Sequence, residues 1–110
     1  MRDGAGLGEF EQLVLLAILN LKTAARAAEV RARIEAVADR SVSRGALYAT
    51  FDRLKAKGFL EWEVEESVPS RGGILRRRFV VTKSGLAALR RSWLAVRTLA
   101  RGLERVLGGA

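Results

Sequence analysis

The chain has 110 residues, 49% apolar and 29% charged with a single Pro, which is one domain by length and a composition able to bury a modest core. Lys and Arg number 20 against 12 Asp and Glu, and the formal charge of +8 favours a polyanionic partner, either nucleic acid or an anionic membrane surface. The absence of Cys and His removes disulfides, thiol catalysis, the commonest general base and the commonest neutral metal ligand, so enzyme function is disfavoured and no cofactor or metal is expected.

The opening MRDGAGLGEFEQ has charges and glycines where a signal peptide has its apolar centre, and no apolar run approaches the roughly 20 residues of a membrane span. A cytoplasmic protein is expected. Phe10, Leu13, Val14, Ala17, Ile18 and Leu21 then recur at helical spacing, and Leu15, Leu16 and Leu19 carry the apolar surface nearly all round. Such a first helix needs cover on more than one side, from the rest of the domain or from a second subunit.

The segment TAARAAEVRARIEAVAD predicts a second helix with Thr23 as N-cap, Ala27, Val30, Ile34 and Val37 on its inner face, and Arg31, Arg33 and Glu35 outside. A short turn over Asp39, Arg40 and Ser41 leads into SRGALYATFDRLKAKG, residues 43 to 58. Here Ser43 suits the N-cap, Val42 and Leu47 form a hydrophobic staple, Leu47, Phe51 and Leu54 make one buried stripe, and Gly58 stops the helix. Leu60, Trp62 and Val64 next alternate with Glu61, Glu63 and Glu65. Beyond SVPSRGG, Phe79 and Val81 alternate with Arg78 and Val80, which reads as a β-hairpin. Helix, turn, helix and hairpin together predict a mainly α fold, a winged helix-turn-helix. Trp62 faces inward and reads as core.

A last helix is predicted from near Thr82 to about Leu107. Leu86, Leu89, Trp93, Val96, Ala100, Leu103 and Leu107 are spaced alternately three and four apart, a heptad seam. About 25 residues would make it roughly 38 Å long, too long to pack wholly on so small a domain. Residues 1–82 are therefore expected to form the winged helix-turn-helix and 83–110 a dimerisation helix, with Phe10 and the seam at the dimer interface. Trp93 in the seam offers a flat aromatic wall on which a planar aromatic effector could stack, although a packed interface indole is the simpler reading. Arg90, Arg91, Arg97, Arg101 and Arg105 on this helix are open to several partners: DNA, anionic lipid, or Glu9 and Glu11 of the first helix.

The third helix carries the functional signal. At about 100° per residue, Gly45, Ala49, Asp52 and Ala56 lie opposite the buried stripe, Arg44, Tyr48 and Lys55 flank one side, and Thr50, Arg53 and Lys57 the other. A small pole lets the backbone sink into a groove while longer flanking side chains reach base edges and phosphates, as a recognition helix does in the major groove. Close packing against another helix accounts for Gly45 and Ala49 equally well. Asp52 would repel phosphate and is expected to pair with Lys55. Arg71, Gly72 and Gly73 form a flexible basic wing tip suited to the DNA backbone. Arg76 and Arg78 share a face with Glu61, Glu63 and Glu65, so cross-strand pairing competes with DNA contact there. The candidate DNA-binding residues are Ser43, Arg44, Gly45, Tyr48, Thr50, Arg53, Lys57, Arg71, Gly72 and Gly73.

With LGEFEQLVLLAIL, AAEVRARIE, SRGALYATFDRLKAKGFLE and RGG followed by RRRFVVTKSGLAAL, in that order over residues 7 to about 90, the sequence resembles the PadR family of winged-helix transcription regulators. The resemblance implies a homodimer built through the last and first helices, binding inverted-repeat operators on double-stranded DNA, usually as a repressor released by an effector. Ser43, Gly45, Tyr48 and Arg53 fall in the family's recognition-helix pattern, and Arg71, Gly72 and Gly73 in its wing tip. The chain departs from the family at Ala27 and Ala28, where a Gly-Tyr pair is frequent, and at Arg78 and Phe79, where an aromatic pair is frequent. Two rivals carry distinct expectations. A protein-interaction module using the same helix would show little affinity for duplex DNA, and a peripheral membrane protein would take Leu86, Trp93 and Leu103 out of the dimer seam to meet lipid.

Overall fold

The computed structural model describes residues 6–65 and 76–108, and these form helices α1 (Glu9–Leu21), α2 (Ala27–Ala38) and α3 (Arg44–Ala56), strands β1 (Leu60–Glu65) and β2 (Arg76–Val81), and helix α4 (Lys83–Ala100). One core joins them: Val14, Leu15 and Ile18 of α1, Val30 and Ile34 of α2, Leu47, Phe51 and Leu54 of α3, Leu60 and Phe79 of the hairpin, and Leu89 of α4. Each fully buried Leu or Phe contributes about 1.5–3 kcal/mol. Phe51 stacks on Phe79 with ring centroids 4.0 Å apart, and Trp62, half-buried, meets Phe79 edge-on at 5.8 Å. The three helices followed by a hairpin make a winged helix.

The second helix starts later than the sequence predicts. Thr23 lies in a 3₁₀ turn, Lys22–Ala24, and α2 begins at Ala27 with Arg26 as its N-cap. Tertiary structure overrides the local signal, because the Phe79 N–H of β2 donates to the Ala25 carbonyl at 2.8 Å and Ala25 is wholly buried. That bond occupies the outer edge of β2, so the chain must stay extended where a helix would otherwise begin. Val37, expected inside, is 75% exposed at the end of α2. The turn into α3 is fixed by Glu35, whose carboxylate accepts from the Val42 N–H at 2.9 Å, and by Ser43, whose Oγ accepts from the Ala46 N–H at 3.0 Å.

β1 and β2 pair antiparallel, with Trp62 opposite Phe79 and Glu63 opposite Arg78. The charged and inward faces fall as the alternation predicts through Glu63, but at the end of β1 Val64, expected inside, is exposed, and Glu65 is half-buried against Arg26. Behind the hairpin, Thr82 caps α4: its Oγ1 accepts from the Gly85 N–H at 3.0 Å and donates to the Gly58 carbonyl at 2.6 Å. Gly85 itself is buried, and a Cβ built on it would lie 2.2 Å from the Phe59 carbonyl oxygen.

The last helix is shorter than predicted. It ends at Ala100, Arg101 leaves the helical conformation, and Gly102 takes φ +83°. Glycine tolerates that left-handed geometry without a Cβ clash, so it ends the helix although Leu103 and Leu107 continue the apolar spacing. Leu103 and Leu107 consequently follow outside any helix rather than on a helical seam. Leu89 leaves the seam too, being buried inside the protomer.

Candidate nucleic-acid interface

Helix α3 presents its buried stripe to the core and its opposite side to solvent. Gly45, Ala49, Asp52 and Ala56 are all exposed, and a Cβ built on Gly45 would meet nothing within 4 Å. Packing among the described residues therefore gives no reason for a glycine that costs about 1 kcal/mol in a helix relative to Ala. The serine cap leaves Arg44 and Gly45 as the first two residues of the helix, at the end where its dipole is positive.

On one flank, Arg44 lies over the Tyr48 ring with its guanidinium carbon 5.5 Å from the centroid. Both line an open cleft of about 580 Å³ between the start of α2, the start of α3 and β2, together with Arg26, Ala27, Ala28, Glu29, Arg76, Arg77 and Phe79. Four arginines surround it, and only Arg44 is among the candidates read from the sequence. Arg26 makes a two-point ion pair with Glu65, at 2.7 and 3.1 Å. The Glu65 carboxylate raises the Arg26 pKa, and the same hydrogen bond holds the Glu65 carboxyl below its ordinary value. Nothing local ties residue 26 to residue 65, so that pair is invisible until the fold is known.

The wing arginines divide. Arg78 pairs with Glu63 across the hairpin, as cross-strand geometry allows. Arg76 faces the cleft, and Arg77 lies over the Trp62 ring, 4.8 Å from its centroid. Arg71, Gly72 and Gly73 lie outside the described residues.

On the other flank three expectations change. Thr50 is buried, 1% exposed, because it falls three residues after Leu47 and four before Leu54; its hydroxyl donates to the Ala46 carbonyl at 2.8 Å, which removes it from any DNA contact. Lys57 is an anchor rather than a free phosphate ligand. Its ammonium donates to both Glu11 carboxylate oxygens and to the Gly6 carbonyl, each at 3.0 Å, which uses all three of its donors. Lys55 pairs with Glu61 at 2.8 Å instead of with Asp52. Arg53 stays at the surface, its side chain 56% exposed. Glu9 and Glu11, weighed as partners for the last helix, pair instead with Arg40 and with Lys57 and Arg53.

Glu11 is the residue the sequence reading undervalued. Burial alone pushes its carboxyl up, but the Gly8 N–H at 2.8 Å, the Lys57 ammonium and the Arg53 guanidinium outweigh burial and hold it below its ordinary value. Glu11 at the third position of α1, reaching back to Gly8, is the return half of a capping box, and that spacing was the available signal. Among the described residues no group of acids could hold a metal ion, and no helix is long and apolar enough to cross a membrane.

No protein-family model matches the chain, and no curated protein matches it in sequence. Solved structures do. A PadR-like transcription factor from Bacteroides fragilis superposes with a TM-score of 0.69 at 23% identity, over 88% of this chain and 88% of that one. A PadR family transcriptional regulator from Eggerthella lenta gives a TM-score of 0.61 at 24% identity, over 90% of this chain and 86% of that one. Identities this low speak to the fold and leave DNA contacts, partners and activity to be argued from the chain's own residues. The chain thus has the winged helix-turn-helix fold of PadR-like regulators over nearly its whole length.

Proposed function

We propose that the protein is a sequence-specific, DNA-binding transcriptional regulator that acts as a homodimer, of the repressor type, on an inverted-repeat operator. The observation that carries this reading is the open, small-residue pole of α3, flanked by Arg44 on one side and Arg53 on the other. Its size answers to no packing among the described residues, and a DNA groove is a partner that would need it. The arginine-lined cleft beside Arg44 adds a place for backbone phosphate, continuous with the recognition helix. Ser43, Gly45 and Tyr48 complete the reading surface, and Arg71, Gly72 and Gly73 are proposed as its wing contact.

Dimerisation is proposed through the part of α4 that its own protomer leaves bare. Leu86, Trp93 and Val96 are exposed along it, and Leu16 and Leu19 of α1 are exposed as well. A second copy would cover these apolar groups and set two α3 helices in successive major grooves, roughly 34 Å apart. In this reading residues 1–82 read DNA and 83–110 dimerise, with Phe10, Ala100, Leu103 and Leu107 at the edge of the interface. Trp93, half-exposed with the Arg97 guanidinium 5.1 Å from its ring centroid, is proposed as the contact for a planar aromatic effector.

The test is selection of bound sequences from a random duplex pool at about 150 mM salt, where non-specific electrostatic binding is much weakened. An inverted repeat with half-sites about one helical turn apart is expected. Arg44→Ala and Arg53→Ala should then weaken binding to the selected site about 5- to 100-fold more than to a scrambled duplex, whereas Arg71→Ala should weaken both alike. Recovery of no motif would overturn the reading.

A further inference from the structure

Two polar side chains are buried among the described residues, Glu11 and Thr50, and both converge on Arg53. The Thr50 Oγ1 accepts from an Arg53 terminal nitrogen at 3.0 Å, while Arg53 Nε lies 3.6 Å from Glu11 Oε2. The guanidinium is thus gripped from beneath while its outer side stays open to solvent. The same carboxylate holds Lys57 through both oxygens, and Lys57 is only 26% exposed. A flank with two cations presents just one of them.

We infer that Glu11 is a positioning residue for DNA reading: with Thr50 it aims Arg53 at the bases, and it withholds Lys57 from the phosphate backbone. The inference rests on the proposed DNA-binding function and adds a role to a residue that lies on α1, outside the recognition helix. A flexible arginine must be ordered on binding, and one held by two partners beforehand loses less freedom when it meets a base edge. A lysine released to solvent does the reverse, adding affinity for any duplex and none for a particular sequence. Glu11 therefore trades unspecific attraction for discrimination.

That trade separates positioning from mere support of the fold. Glu11→Gln retains the shape and the acceptor for Gly8 while removing the charge. In the full-length protein, with folding checked by circular dichroism, it should bind a scrambled duplex about threefold more tightly. Its salt dependence should steepen by up to about one phosphate contact for the freed cation. The affinity ratio between the selected inverted repeat and the scrambled duplex should fall about 5- to 10-fold. In an Arg53→Ala background the same substitution should leave that ratio unchanged, because the residue through which Glu11 acts is gone.

A purely structural Glu11 would weaken both duplexes together and give the same change with or without Arg53; either result, or an unchanged ratio, overturns the inference. Should Glu11→Gln fail to fold, Thr50→Val removes the second grip on Arg53 and leaves Glu11 in place. A ratio about threefold lower is expected there, and an unaltered ratio counts against the positioning of Arg53. Failure of the wild-type protein to select any sequence would be a separate outcome, overturning the DNA-binding function itself.

Discussion

Helices α3 and α4 begin in the same way and for different reasons. Each starts on a hydroxyl cap, Ser43 or Thr82, and each has a glycine in its first turn, Gly45 or Gly85. At Gly85 a Cβ would meet backbone at 2.2 Å, whereas at Gly45 it would meet nothing within 4 Å. One glycine is dictated by the chain's own packing, and the other keeps a surface bare that none of the described residues covers. Two identical local signals in a sequence can therefore record an interior constraint and an exterior one.

The largest effect should come from closing the inner gap. A methyl at residue 85 would press on the Phe59 carbonyl and on Val81, and because backbone cannot swing aside, α4 must lift from the exit of α3. Gly85→Ala should cost about 3 kcal/mol, at the upper end for overpacking, and lower Tm by roughly 10–20 °C. A thermal melt within a degree or two of wild type would show that the close approach is not maintained in solution.

Next in size is the junction of α1 with the same end of α3, where the anchor is a carboxylate and so can be titrated. Glu11 has a folded pKa below its unfolded one, since its cationic and N–H partners outweigh burial. The sign follows: its contribution is fully present above the ordinary glutamate value of about 4.3, and is lost as pH falls through the lower folded value. Urea unfolding should give stability that declines on acidification below about pH 4.3, and the decline should be shallower in Glu11→Gln. Equal slopes for the two proteins would remove Glu11 from the stability of this junction.

The caps themselves should differ. Thr82→Ala loses a bond to the Gly85 N–H and also the bond to the Gly58 carbonyl that pins α4 to the α3 exit, whereas Ser43→Ala loses one bond at an exposed position. Substitution at Thr82 should cost about 2 kcal/mol and at Ser43 about 1 kcal/mol. Chemical denaturation of both variants measures the difference, and the reverse order would contradict the docking role of Thr82.

What the sequence disclosed and what it hid follow the range of the interactions. Most short-range signals held, the Thr23 cap being the exception that a tertiary bond overrode. The Ser43 cap, the Leu47, Phe51 and Leu54 stripe and the hairpin alternation up to Glu63 all rest on neighbours a few residues apart, and each stands in the structure. Thr50 was misplaced because a threonine on the flank of a helical wheel can turn either way, though its spacing from Leu47 and Leu54 pointed inward. The close of α4 was misjudged by giving apolar spacing precedence over Gly102. Arg26 with Glu65, Glu11 with Lys57, and the Ala25 carbonyl with Phe79 join residues 39, 46 and 54 apart, and no local pattern announces such pairs. The candidate surface was legible at its centre and hidden at its edges, where long-range pairing decides which charges are free.

The smallest expected change in stability is the most informative about function. Gly45 is exposed, its backbone is helical, and none of the described residues would touch an added methyl group. Gly45→Ala should therefore stabilise the protein by about 0.5–1 kcal/mol, by reducing the freedom of the unfolded chain and by better helix propensity. If the pole of α3 sits in a groove, the same methyl group intrudes on the partner, and affinity for the selected duplex should fall about tenfold while the fold grows firmer. Stability and binding then move in opposite directions, which is the mark of a residue retained for an external surface. A stabilised variant that binds the duplex as well as wild type would show that α3 does not bury this face against DNA, and the partner of the bare pole would have to be sought elsewhere.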